Sequence, residues 1–430
     1  MKIHSISKPV SIMLIALAIL SYFVGFYLDE NSAGAGGYEG DFDDIWNNLQ
    51  IFLKNDLINS IGHPEYDDSR TPIAYILHES LNPFAKEETS YRRSVFAVSL
   101  LLPILFYLCL KQKFEDKENL LLILLASIIF LSPYFRTSAY WGLEENYGLI
   151  CLLLTFLSEK FFSKQNNKSK YKEYLNIFFI TFLSSLCLYF DQKLVIIPII
   201  YFFKIVLSEK FLKYKIFLIL CYTIFAIPYI FLIKFWGALI PAGAADIRGL
   251  GTLFPSHPGF AVTIIAFYLF PLFLFKNEKI PSLIKSFFLS KKNYFFTIFF
   301  LLYLIFLVSF VDLDQSINGN GIVNKISLIL FDDIYFRSIF IYFSFFIAWI
   351  LILIYFGKNL KDLFIIGYFL ILSIILYPIF QEYFDPLIFI MAMLFFSTKI
   401  NINYTNTIII FFYFMIFLIS ANIYYINLLS

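Results

Sequence analysis

Long apolar runs, separated by short clusters of charged residues, repeat along the whole chain. Counting the runs that approach the length needed to cross a bilayer, we predict about thirteen transmembrane helices in an all-α polytopic membrane protein. The predicted spans cover residues 9–28, 94–110, 119–135, 145–158, 174–190, 194–208, 216–233, 259–275, 294–310, 337–356, 362–379, 386–398 and 406–427. We expect residues 1–430 to form a single transmembrane domain.

The composition agrees with this pattern and excludes a water-soluble protein. Of the 430 residues, 60% are hydrophobic and only 15% are charged, whereas soluble domains carry about 25% charged residues. The net charge of +2 leaves no strongly basic face, so we predict membrane lipids as surroundings and no nucleic-acid partner. All four cysteines lie in apolar runs, which argues against a disulfide framework or a thiolate metal site.

The charged residues divide between the two sides of the predicted bundle. With a cytoplasmic N-terminus, most of the 33 Lys and Arg residues fall inside and most of the 31 Asp and Glu residues fall outside. Lys2 and Lys8, with small residues at 33–37, would also suit a signal peptide, but a run of this length favours a retained first helix. We predict an integral protein of a bacterial inner membrane with its active site in the periplasm.

The first outer connection, residues 29–93, is far longer than most of the others. It carries Asp41, Asp43 and Asp44 just before residues 45–57, where apolar side chains recur at helical spacing. That spacing predicts an interfacial helix lying on the membrane. Asp43 or Asp44 would also suit the N-cap of this helix, which is the modest interpretation of these acids.

A second polar cluster follows in the same loop. It contains Asp67, Asp68 and Arg70, then Thr71 and Pro72, and a short apolar segment ending at Leu81 predicts another helix. Two acidic clusters beside an amphipathic helix would form a polar site at the headgroup level. A carboxylate in such a site is able to act as a general base on a hydroxyl group.

These residues resemble the first lumenal loop of the GT-C superfamily, the membrane glycosyltransferases that use polyprenyl-phosphate sugars. The protein O-mannosyltransferases carry an Asp-Glu pair and then a His-Pro-Pro element. The dolichyl-phosphate-glucose glucosyltransferases are more similar, with Met-Asp-Glu followed by Thr-Pro-Pro-Gly-Leu-Tyr. The present chain has Phe42-Asp43-Asp44 and Thr71-Pro72-Ile73-Ala74-Tyr75, so it lacks the second Pro and the Gly and has Asp in place of Glu.

The resemblance implies a GT-C-like fold and a catalytic Asp43 that deprotonates the acceptor hydroxyl, with Asp41 and Asp44 as close alternatives. It implies a polyprenyl-phosphate sugar as donor and a lipid, a glycan or a protein as acceptor. Some members of the superfamily use a divalent cation at the acidic pair, so Mg²⁺ or Mn²⁺ is a possible cofactor and the metal requirement is open.

Further polar clusters on the predicted outer side supply candidate substrate-binding groups. The presence of each group also has an explanation that involves no function. The acids and bases near the third to seventh predicted spans would either mark the water interface or line a polar cavity. Arg248 is the strongest candidate phosphate ligand, because a guanidinium matches phosphate oxygens, and Arg136 and Lys193 are the alternatives. His257, in the same Gly- and Pro-rich loop as Arg248, also suits a structural role. The candidates are Arg136, Glu144, Glu145, Gln192, Lys193, Asp246, Arg248, His257, Glu382, Asp67, Asp68 and Arg70.

We therefore predict an inverting glycosyl transfer on the periplasmic or lumenal face. An O-antigen polymerase or ligase is the alternative enzyme, but these usually carry their large outer loop late in the chain. A lipid-linked oligosaccharide flippase or another transporter is the alternative from a different class. That class predicts internal symmetry and charges buried in mid-span, and neither is evident in the sequence.

Overall fold

The computed structural model describes residues 2–33, 37–163, 170–208, 211–247, 251–276, 280–313 and 319–429, and these residues form helices and no strands. The α-helices are α1 (Lys2–Tyr27), α2 (Asp43–Lys54), α3 (Leu57–Ile61), α4 (Ile73–Leu81), α5 (Glu88–Ser99), α6 (Leu101–Lys113), α7 (Asn119–Ser127), α8 (Pro133–Trp141), α9 (Glu145–Ser163), α10 (Lys170–Phe190), α11 (Ile196–Ser208), α12 (Leu212–Trp236), α13 (Ala242–Ile247), α14 (His257–Leu269), α15 (Ile280–Phe288), α16 (Lys291–Phe310), α17 (Gly321–Leu330), α18 (Ile334–Phe356), α19 (Leu360–Ser373), α20 (Leu387–Leu394) and α21 (Tyr404–Leu429).

Within the described part of the chain, eight helices are long and apolar enough to cross a membrane, or nine if one bent pair counts as a span. They are Ser7–Tyr27, Glu88–Lys113, Tyr171–Phe190, Leu212–Trp236, His257–Phe275, Lys291–Phe310, Ile334–Phe356 and Tyr404–Ile426. The predicted polytopic, all-helical class is confirmed, but the count of thirteen is not. The other predicted spans fall on the bent pair and on α9, α11, α19 and α20, of which α11, α19 and α20 have 13, 14 and 8 residues.

The bent pair joins α7 to α8, and the chain turns by 66° between them. A 3-10 turn at Ile128–Leu131 ends the first arm. Ser132 then caps α8 by accepting a hydrogen bond from the N–H of Phe135 at 2.9 Å, and Gly142 ends it at φ +82°, a conformation that favours glycine. All nine residues of α8 are buried, so the chain reaches α9 from the interior of the protein.

The chain forms two compact units. The large unit comprises residues 12–247 and 417–430, and the small unit comprises residues 1–11 and 248–416. The long first loop and the turns that carry Glu144 and Asp191 lie in the large unit. His257 and Glu382 lie in the small unit.

The first loop folds into the two helices that the sequence predicts, α2 and α4, with the short α3 after α2. Helix α2 packs on α4, and the ring of Phe52 stacks on that of Tyr75 at 5.4 Å. The expected N-cap by Asp43 or Asp44 is wrong. The chain enters α2 through a π-helical turn at Tyr38–Phe42, so the N-cap residue, Phe42, is already helical and has no side-chain cap. Both aspartates lie in the first turn, where the helix dipole favours negative charge.

Candidate functional site

Charged side chains from three segments of the large unit lie close together, with the acids buried and the two cations half-buried. The segments are the first loop, the turn between α8 and α9, and the turn that follows α10. We call the six residues the buried charge cluster: Asp68, Arg70, Glu144, Glu145, Asp191 and Lys193.

Arg70 ties the first loop to α9. Its guanidinium forms an ion pair with Glu145, and it lies 3.5 Å from Oδ1 of Asp68. Asp68 is also held by the hydroxyl of Tyr75, which donates to Oδ2 at 2.6 Å, and by the backbone N–H of Arg70 at 2.9 Å. Because both acids are buried, Arg70 supplies the charge compensation that they need.

Glu145 and Lys193 extend the cluster on the other side. The hydroxyl of Tyr134, on α8, donates to Glu145, and Lys193 lies 3.2 Å from Oδ2 of Asp191. Burial raises the pKa of the Asp191 carboxyl, although the charge of Lys193 opposes the shift. Asp191 is only 6% exposed, so it does not mark the water interface, which was one of the two explanations for this cluster.

Glu144 differs from every other acid in the cluster. Its side chain is fully buried, and neither carboxyl oxygen has a hydrogen-bond partner among the described residues. Burial, reinforced by the charge of Asp68, raises its pKa well above the usual range, while Arg70 opposes the shift. The buried hydroxyl of Tyr66 also has no partner within the described chain. Buried polar groups are normally hydrogen-bonded, so Glu144 and Tyr66 have the capacity to bind a hydroxyl-bearing ligand.

The acidic start of α2 lies near the turn that carries Glu144. A Cβ placed on Gly142 would lie 3.5 Å from Cγ2 of Ile45, two residues beyond Asp43. Asp43 is half-buried and Asp44 is exposed. Asp67, also exposed, accepts a hydrogen bond from Asn48 of α2 at 2.9 Å.

Gln192 has a positioning role in this arrangement. Its amide donates to the backbone oxygen of Ser69 at 2.9 Å, and the hydroxyl of Thr71 donates to the backbone oxygen of Tyr189. These two bonds fasten the first loop to the end of α10. They hold Asp68 and Arg70 beside the other charged groups.

Arg136, predicted as a phosphate ligand, is directed at protein groups instead. Its Nε donates to the backbone oxygen of Phe130 at 2.7 Å, and its Nη2 donates to the hydroxyl of Ser21 at 2.5 Å. Nη1 pairs with Glu30 at 2.5 Å, and the guanidinium is only 2% exposed. Glu30 in turn accepts a hydrogen bond from Asn422 at 3.0 Å. This placement favours a structural role in joining α1, α8 and α21.

The remaining candidates belong to other segments of the chain. In the small unit, His257 is buried, its Nδ1 lies 2.7 Å from the backbone oxygen of Leu376, and its ring stacks on Phe254 at 4.8 Å. Glu382 lies near Lys325, whose pKa burial lowers to about 8 against the opposing charge of Glu382. Asp246 belongs to α13, and Arg248 lies outside the described residues.

The described residues contain no group of three or more His, Cys, Asp or Glu side chains arranged to hold a metal ion. The predicted Mg²⁺ or Mn²⁺ therefore stays a prediction.

Sequence reasoning missed several members of the site. Tyr66, Tyr75 and Tyr134 supply hydroxyl groups to the site. Nothing in the sequence separates Tyr66 and Tyr134 from the other tyrosines, of which the chain has 30 in all. For Tyr75 the signal was its place in the segment that resembles the glucosyltransferase motif.

The comparisons with known proteins give no relative. The chain matches no protein-family model, no curated protein and no solved structure. The functional conclusion therefore depends on the geometry of the site and on the motif resemblance.

Proposed function

We propose that this protein is an inverting membrane glycosyltransferase of the GT-C type. It moves a sugar from a polyprenyl-phosphate donor to a hydroxyl group of an acceptor on the outward face of the membrane. One observation carries the proposal: acids and cations from the first loop, from the turn between α8 and α9 and from the turn after α10 converge in the buried charge cluster. This is the combination that a lipid-phosphate sugar donor requires.

The chemistry needs a base for the acceptor and a cation for the leaving group. A carboxylate takes the proton from the acceptor hydroxyl. The acceptor oxygen then bonds to the anomeric carbon while the bond from that carbon to the phosphate oxygen breaks. Polyprenyl phosphate leaves with the negative charge, which Lys193 and Arg70 are suited to stabilise electrostatically.

Two carboxyl groups compete for the role of base. The motif resemblance favours Asp43, and its place in the first turn of α2 leaves it half-buried and accessible. The burial of Glu144, and the absence of hydrogen-bond partners for it among the described residues, favour that group instead. Burial raises the pKa of Glu144 above its usual range, so this group has to release its own proton before it takes one from the acceptor hydroxyl.

The test is sugar transfer by purified protein from a panel of polyprenyl-phosphate sugars. We expect either Asp43→Asn or Glu144→Gln to lower kcat by about 10²- to 10⁴-fold, the usual contribution of a general base. The other variant should lower activity less, by weakening acceptor binding. Asp116→Asn is the matched control, because this acid is 76% exposed in the loop between α6 and α7.

Retained folding in each variant is checked by thermal unfolding in detergent. Full activity of both Asp43→Asn and Glu144→Gln would remove the proposed base chemistry. Absence of transfer by the wild-type protein from every donor in the panel would remove the proposed function.

A further inference from the structure

An apolar cavity of about 420 Å³ lies in the large unit between α4, α5, the start of α9 and the end of α10. This volume falls within the range of small-ligand sites, about 300–1,000 Å³. Most of the lining is aliphatic or aromatic, including Leu77, Leu81, Phe84, Ala97, Val98 and Phe190. The cavity is therefore suited to an apolar chain.

The rim of the cavity is continuous with the surface that faces lipid. Leu81 and Phe84 are 73% and 57% exposed, and Val98 is 39% exposed on a span that runs over Glu88–Lys113. Phe190 is the last residue of the span Tyr171–Phe190. The cavity thus lies where two spans reach the membrane surface, so an aliphatic chain is able to enter it from the bilayer without crossing water.

The polar end of the cavity is neutral. The described residues that line it include no Lys, Arg, Asp or Glu. Burial lowers the pKa of His78 to about 4, so the imidazole is uncharged at pH 7. Its Nδ1 lies 3.0 Å from the amide nitrogen of Asn82, whose oxygen accepts from the N–H of Phe84 at 3.0 Å. The amide nitrogen therefore donates to Nδ1, and the imidazole proton lies on Nε2.

Nε2 of His78 lies 3.1 Å from the hydroxyl of Tyr147. Tyr147 lies in the first turn of α9, which begins at Glu145. Its N–H donates to the backbone oxygen of Glu144 at 3.0 Å. The polar end of the cavity thus leads towards the buried charge cluster. A phosphate group at this end would meet no cation, whereas a hydroxyl group would meet neutral donors and acceptors.

We propose that this cavity holds the apolar chain of the acceptor, and that the acceptor is a neutral, hydroxyl-headed amphiphile drawn from the membrane. The assignment of the occupant as the acceptor rests on the proposed function. The assignment of the cavity to a neutral amphiphile depends only on its lining, its rim and the neutral pair of His78 and Tyr147. A soluble glycan or a peptide would not use the cavity.

The experiment uses two photoactivatable probes, a long-chain alcohol and the matched alkyl phosphate, with the full-length protein in lipid nanodiscs. We expect the alcohol to label peptides of α4 and α5, and the alkyl phosphate to label them about tenfold less. Ala97→Trp fills the cavity from an exposed position and should lower labelling by the alcohol about tenfold. Ile104→Trp is the control, because Ile104 is 53% exposed on the same span and does not line the cavity.

A transfer assay with the alcohol as acceptor completes the experiment. Expected labelling together with transfer supports the whole proposal. Equal labelling by the two probes, or unchanged labelling of Ala97→Trp, overturns the assignment of the cavity. Expected labelling without transfer to the alcohol, from donors that do serve another acceptor, overturns the acceptor role alone. Labelling with no transfer to any acceptor shows that the proposed function has failed while the neutral-amphiphile site stands.

Discussion

At the scale of single residues, two adjacent acids have opposite surroundings. Glu145 is paired with Arg70 and hydrogen-bonded by Tyr134, whereas neither oxygen of Glu144 has a hydrogen-bond partner among the described residues. A buried carboxylate without compensation destabilises a fold, and the group responds by holding its proton. The proposed role of Glu144 in binding or catalysis therefore carries a cost in stability.

This cost predicts a pH-dependent effect of Glu144→Gln. The pKa of Glu144 is raised in the folded state above the unfolded value of about 4.5. Above pH 4.5 the unfolded chain releases this proton and the folded protein retains it, so the wild type loses stability as pH rises towards the folded pKa. Gln is neutral and has nearly the same shape, so the variant should gain stability over the wild type as pH rises.

Thermal unfolding of both proteins in detergent between about pH 5 and pH 8 measures the difference. The Tm of Glu144→Gln minus that of the wild type should increase with pH. A constant or decreasing difference would mean that Glu144 is ionised in the fold and compensated there. Glu79→Gln, at an exposed position on α4, controls for the removal of one carboxyl group.

The sequence identified the acids of this site but not their individual roles. Glu144 and Glu145 are neighbours of the same type, and only the direction of each side chain separates an ion-paired acid from an uncompensated one. Arg136 illustrates the same limit. It was selected because its guanidinium suits phosphate, and its contacts with Glu30 and Ser21 depend on helices that are distant in sequence.

At the scale of elements, the close approach of α1 to α8 depends on a glycine. A Cβ on Gly25 would overlap Oε2 of Glu30 and lie 2.7 Å from the hydroxyl of Tyr140. Any side chain at this position would therefore displace Glu30 from Arg136. Arg136 is buried and Glu30 is only 11% exposed, so separating them leaves the Arg136 charge without compensation.

We therefore expect Gly25→Ala to destabilise the protein by about 3 kcal/mol, the lower end of the range for breaking a buried ion pair. Gly367→Ala in α19 is the control, because no heavy atom outside its own helix backbone and chain neighbours lies within 4 Å of the added Cβ. It should change stability by no more than about 1 kcal/mol, in the direction of helix propensity. Unfolding in detergent measures both variants, and equal effects would contradict the role of Gly25.

The sequence predicted correctly that the protein is helical and that its first loop contains helices. It did not predict how long each helix is. The periodic apolar residues predicted α2 and α4 correctly, because amphipathic helices show their pattern locally. The run at 119–135 was predicted as one span, but the chain bends at Ser132 and Pro133, which separate α7 from the buried α8. The number of apolar residues in a segment does not show whether its helix faces lipid or is enclosed by protein.

At the scale of the whole molecule, the proposed function requires one particular orientation of the protein in the membrane. The first loop and the turn at Asp191 must lie outside, and the loop between α6 and α7 must lie inside. The partition of Lys and Arg predicts this arrangement.

Labelling with a membrane-impermeant maleimide tests the sidedness directly. The four native cysteines are buried, so the wild-type protein serves as the background. Glu65→Cys, at an exposed position of the first loop, should be labelled in intact cells, and Asp116→Cys only after permeabilisation. The reverse pattern would place the buried charge cluster on the side of most of the lysines and remove the proposed site.

The large unit is made of two separate segments of the chain, and this has a consequence for biosynthesis. Residues 417–430 belong to the same compact unit as residues 12–247, and Asn422 supplies the hydrogen bond to the second oxygen of Glu30. The ribosome, which adds about 5–20 residues per second, must translate residues 248–416 before this partner emerges. During that interval the Glu30 carboxyl group is able to pair with Arg136 but lacks the hydrogen bond from Asn422, so the large unit gains this contact only after residues 248–416 have been made.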